Sequence, residues 1–175
     1  MIRGIAILAL VAAASAAGEP AAIPAPGDGA PGWGRLRWGM TADEVLAAVP
    51  GAVRLEPALR LADGNLVAVG MDRLEVASTA FRLRFVFDGN GLALLSLRTP
   101  PERYADGVAF DAVARHLEAR WGPPDRAARD AGLVEMRQTR WRLGPSTVDL
   151  EYIPGVVVIL YHPAAVREPP PARGG

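Results

Sequence analysis

The stretch Phe81-Arg82-Leu83-Arg84-Phe85-Val86-Phe87-Asp88-Gly89-Asn90-Gly91 decides the fold. Phe81, Leu83, Phe85 and Phe87 alternate with Arg82, Arg84 and Val86, the period-two pattern of a strand with one buried face. Asp88-Gly89-Asn90-Gly91 then reads as a hairpin turn. A two-residue loop would set Phe85 opposite Leu94 and Leu83 opposite the polar Ser96. A three-residue loop, Gly89-Asn90-Gly91, sets Phe85 opposite Leu95 and Leu83 opposite Leu97. The second arrangement keeps the apolar face continuous and puts Gly91 at a left-handed bulge position, so it is the one expected.

The same plan recurs downstream. Trp141 and Leu143 face inward on a strand that turns at Gly144-Pro145-Ser146, and Val148, Leu150 and Tyr152 face inward on the next. That pairing sets Trp141 opposite Val148 and, on the outer face, Arg140 opposite Asp149 as an exposed ion pair. Pro154-Gly155 makes a further turn, and Val156 to Tyr161 is a β-branched closing strand. Leu66 to Val76 and Leu133 to Gln138 read as additional strands, whereas 52–62 carries no assignable pattern.

A helix precedes each meander. Thr41-Ala42-Asp43-Glu44 is a capping box, Val45, Leu46 and Val49 give a short apolar face, and Pro50-Gly51 ends it. From about Val108 to Trp121, Phe110, Val113, Ala114, Leu117 and Trp121 form one helical stripe, stopped by Gly122-Pro123-Pro124. Each half therefore reads as a helix followed by about three strands. Two helices on one face of antiparallel sheet make an α+β fold built from tandem helix-plus-meander units, about 33–99 and 104–162. Whether the two meanders join into one sheet is open at this level.

The chain has 175 residues, 19 basic and 19 acidic side chains, and no cysteine. All the basic residues other than histidine are arginine, a mark of coding bias more than of a binding surface. Charge balance argues against nucleic acid, which selects a clustered basic excess. The absence of cysteine excludes disulfides, zinc–thiolate sites and thiol nucleophiles. At the start, Met1-Ile2-Arg3, the apolar run from Ile5 to Ala14 and small residues through Ala17 have the layout of a cleaved secretory signal (1–17). That run is shorter than the roughly 20 apolar residues of a bilayer-crossing helix, so no membrane-spanning segment is expected in the mature chain. Without a cysteine after it, a lipoprotein signal is excluded as well. Residues 18–32 and 163–175, rich in Pro, Gly and Ala, read as a flexible lead-in and tail around a folded domain at 33–162.

Leu36-Arg37-Trp38-Gly39-Met40-Thr41-Ala42-Asp43-Glu44-Val45 resembles the Gly-Met-(Thr/Ser)-x-x-(Glu/Gln)-Val opening of SmpA/BamE-like envelope domains. The tandem layout is similar to that of the β-lactamase-inhibitor-protein-like group. These resemblances imply a short capped helix on a small antiparallel sheet, two such units sharing one sheet, and a place in the bacterial envelope. Gly39, Met40, Thr41 and Val45 are the positions matched, in a structural role.

No constellation for catalysis, metal or cofactor emerges. His116 lies at the edge of the helical stripe and His162 on the outer face of the last strand. No serine sits in a nucleophile elbow, and Gly89-Asn90-Gly91 lies between strands, whereas a phosphate loop opens a helix. Asp149, Glu151 and Glu135 could share the outer sheet face, yet Arg82, Arg84, Arg140 and Arg142 share it too, which favours charge compensation over acid–base work. Arginines beside Val158 and Leu160 suit contact with a partner. Trp38 reads as a core anchor and Trp33 as an exposed residue near the lead-in. The expected function is thus a non-enzymatic, periplasmic or secreted protein with no cofactor. Its candidate face comprises Arg82, Arg84, Arg140, Arg142, Asp149, Glu151 and Leu160, contacting an envelope protein or cell-wall component. The other classes to weigh are a hydrolase using Asp149 or Glu151 and an inhibitor of an envelope hydrolase.

Overall fold

Alternating apolar residues need a partner layer, and the helices supply it. The computed structural model describes residues 33, 35–131 and 135–164; the expected signal and lead-in at 1–32 and the chain beyond 164 lie outside them. In chain order the elements are α1 (Ala42–Ala48), β1 (Val53–Arg60), β2 (Leu66–Val76), β3 (Thr79–Asp88) and β4 (Gly91–Arg98). There follow α2 (Gly107–Trp121), β5 (Arg126–Ala131), β6 (Glu135–Leu143), β7 (Ser146–Ile153) and β8 (Val156–Pro163). The fold is α+β, with an eight-stranded antiparallel sheet in the order β1-β2-β3-β4-β8-β7-β6-β5. The two meanders do form one sheet, joined where β4 pairs with β8 through Leu95–Tyr161 and Leu97–Ile159.

Each helix is followed by four strands, one more than the alternation suggests. The additions are the outermost strands: β1 occupies the unassigned 52–62 stretch, and β5 lies just after α2. Of the strand expected at Leu133–Gln138, the residues from Glu135 on form one strand, β6 (Glu135–Leu143), with the segment carrying Trp141; Leu133 and Val134 lie outside the described residues.

The core lies between the helices and one sheet face. Rows of apolar side chains cross strand boundaries: Phe85, Leu95, Tyr161, Val148 and Trp141 stand side by side, as do Leu83, Leu97, Ile159 and Leu150. Phe110, Val113 and Leu117 of α2 and Val45 of α1 pack into the same buried cluster. A side chain of that kind contributes roughly 1.5–3 kcal/mol when fully buried. Trp33 belongs to this core as well, 5% exposed and edge-on to Tyr161 with ring centroids 6.3 Å apart, which corrects its expected exposure.

At seven residues, α1 is too short to persist alone. Its capping box forms as expected: the Thr41 hydroxyl accepts the Glu44 N–H at 3.3 Å, and the Glu44 carboxylate accepts the Thr41 N–H at 2.8 Å. Those bonds hold the Glu44 carboxyl below the usual range. The residues just before the cap clamp the helix to the sheet. The Gly39 N–H donates to the Leu92 carbonyl at 2.9 Å, and the Leu92 N–H donates to the Met40 carbonyl at 2.8 Å. This contact also resolves the hairpin. Asp88 pairs with Gly91, so the loop is the two-residue Gly89-Asn90, and a register shift after Leu92 restores Phe85 opposite Leu95. The expected register is right and the expected loop length is not. A side chain at Gly91 would place its Cβ 2.2 Å from the Gly39 carbonyl oxygen, so that close approach demands glycine.

Candidate functional site

The alternation that turns Leu83 into the core turns its neighbours Arg82 and Arg84 away from the helices. Strand pairing then extends that outward-facing set across the sheet. Two outer rows cross β3, β4, β8, β7 and β6 in turn. One runs Arg84, Ser96, Leu160, Asp149, Arg140, and the other runs Arg82, Arg98, Val158, Glu151, Gln138. Arg142 lies on the same face opposite Thr147, which is opposite His162. The structure thus brings all the candidate residues onto one sheet face that neither helix covers. Glu135 is not among them. It shares the helix-side face with Arg137, which bonds both Glu135 and Asp111 at 2.7 Å and lies 5.7 Å from the ring centroids of Phe110 and Tyr152.

The outer face has two unlike parts. Over β6, β7 and β8, Asp149 is the centre. Its side chain is only 5% exposed and accepts from Arg140 Nε at 2.6 Å, Arg140 Nη2 at 3.1 Å and His162 Nε2 at 2.9 Å. The expected exposed ion pair is therefore largely buried on its acidic side, because two side chains close over the carboxylate from the neighbouring strands. Burial pushes the Asp149 carboxyl up, but the hydrogen bonds and charges of Arg140 and His162 outweigh it and leave the group below its ordinary value. The other ring nitrogen of His162 lies 3.1 Å from the Pro163 carbonyl, so both are engaged. Glu151 accepts from Gln138 at 3.1 Å.

Over β3 and β4 the face opens into a cavity of about 490 Å³ lined by Arg82, Arg84, Ser96, Arg98, Thr99, Pro101 and Val156. Arg84 folds across β2 to reach Asp72 at 2.6 Å, and its Nη1 donates to the Leu83 carbonyl at 2.9 Å. Gly70, opposite Arg84, makes this possible: a Cβ there would stand 2.8 Å from that nitrogen. Arg82 pairs with Glu102 at 2.6 Å. Arg98, directly opposite Arg82, is exposed and has no ion-pair or hydrogen-bond partner among the described residues. The Thr99 hydroxyl accepts the Val157 N–H at 3.1 Å and keeps its own hydrogen to donate.

Arg98, Ser96 and Thr99 are additions to the face expected from the sequence, although the register that pairs Leu83 with Leu97 already places Arg98 beside Arg82. His116 is exposed on α2, away from this face. Among the described residues no group of three or more His, Asp or Glu is arranged to hold a metal ion, and no helix is long and apolar enough to cross a membrane. No family model, curated protein or solved structure matches the chain.

Proposed function

We propose that this protein is an exported, non-enzymatic module of the bacterial cell envelope, periplasmic or secreted, which binds a partner through the sheet face turned away from its helices. The observation that carries the reading is the cavity of about 490 Å³ on that face, where arginines stand beside apolar side chains. The charged start, apolar run and small residues of 1–17 support export. The order of helix then four strands in each half supports a tandem construction of the SmpA/BamE-like or β-lactamase-inhibitor-protein-like kind.

Hydrolysis through Asp149 is the weaker reading. A general acid needs a raised pKa, whereas this carboxyl is lowered and held by Arg140 and His162. A photo-reactive residue at Ser96, on the cavity wall, tests the proposal against one at Arg115, exposed on α2. In intact cells the Ser96 probe is expected to capture one discrete partner and the Arg115 probe none. Equal capture at both positions, or loss of an enzymatic turnover on Asp149→Asn substitution, overturns it.

A further inference from the structure

Resting on that outer-face reading, we propose that the cavity binds a carboxylate side chain from an acidic segment of a protein partner, held between Arg82 and Arg98.

Three features of the cavity carry this. First, Arg82 and Arg98 are directly opposed across β3 and β4. Like charges in that position repel, and two arginine side chains rooted about 5 Å apart at Cβ are long enough to turn their guanidinium groups onto one carboxylate. Second, the native carboxylates are peripheral. Glu102 and Asp72 side chains are 58% and 65% exposed, against 37% and 31% for their partners Arg82 and Arg84. The cationic groups are the inward members of each pair, and Arg98 remains unneutralised among the described residues. Exposed ion pairs of this sort contribute only about 0.2–1 kcal/mol, so displacing Glu102 from Arg82 costs an incoming acid little.

Third, the surroundings suit a protein chain. Val156 lines the cavity and pairs with Ile153, which is 43% exposed; Met136, on strand β6 next to β7, is 45% exposed. An acidic side chain flanked by apolar residues would meet arginine in the cavity and aliphatic surface next to it. Ser96, on the wall, adds a hydroxyl able to hydrogen-bond.

The test is binding of the full-length protein to a labelled synthetic peptide carrying two adjacent glutamates flanked by leucines, read by fluorescence polarisation at low and moderate salt. The glutamate peptide is expected to bind at least about tenfold more tightly than its glutamine twin, with the difference shrinking as salt rises. Arg98→Gln is expected to remove most of that difference, and Arg115→Gln, exposed on α2 away from this face, to leave it intact. Circular dichroism checks that both variants fold. Equal binding of the two peptides, or a preference untouched by Arg98→Gln, overturns the inference. Capture by the Ser96 probe despite that result leaves the outer-face reading standing and removes only the acidic anchor.

Discussion

Arg140 and Arg98 lie on the same sheet face, yet one is spent on the fold and the other is not. Arg140 makes two hydrogen bonds to a buried aspartate that His162 also contacts. Arg98 faces another arginine and has no partner among the described residues. The contrast teaches that a charged sheet surface is not uniform: Arg140 is tied to a buried carboxylate, whereas Arg98 stands on the cavity wall with no partner among the described residues.

The largest expected effect comes from breaking the compensated side. Asp149→Ala removes the hydrogen bonds to Arg140 and His162 but leaves both side chains about a third exposed to water, so it is expected to cost about 2 kcal/mol, read from the urea midpoint at neutral pH. Acid reaches the same carboxylate more gently. Because the folded-state value lies below the ordinary 3.8, the stabilisation is present above that pH and is lost as pH falls through the lowered value. Urea midpoints between about pH 5 and about pH 3 should therefore fall more steeply in the native protein than in Asp149→Asn. Glu44 and Glu135 are lowered too, but both proteins share them, so the difference isolates Asp149.

Smaller effects belong to the open side. Glu102→Ala removes an exposed pair with Arg82 and is expected to cost about 0.5 kcal/mol, fading in high salt. Arg98→Ala is expected to leave the urea midpoint within about 0.5 kcal/mol of native. A loss above about 2 kcal/mol there would mean that Arg98 supports the fold, and the contrast would collapse.

Legibility follows burial. Phe81 to Phe87 and the α2 stripe are readable because tertiary packing demands apolar residues at fixed spacing. The edge strands β1 and β5 are not, since Arg-Ala-Ala-Arg-Asp-Ala and the mostly exposed 53–60 bury little and form through backbone pairing with β6 and β2. Pro57 further obscures β1, and a register shift falls between Arg54 and Leu59. The hairpin loop length escapes a local reading because the Gly39–Gly91 approach is a long-range contact with no local signature. The candidate face is legible from alternation alone. The depth of Asp149 is not, because it depends on how the Arg140 and His162 side chains lie over it.

The β4–β8 junction governs when the sheet can close. As the polypeptide emerges from its N-terminus, β1 to β4 can assemble early, but the Leu95–Arg98 stretch of β4 keeps backbone groups bare until β8 arrives. A chain cut after Ile153 would keep every other element and still expose two sticky margins, one on β4 and one on β7. Strand β8 is therefore the last of the described elements in the chain and the one whose pairing joins the two halves of the sheet.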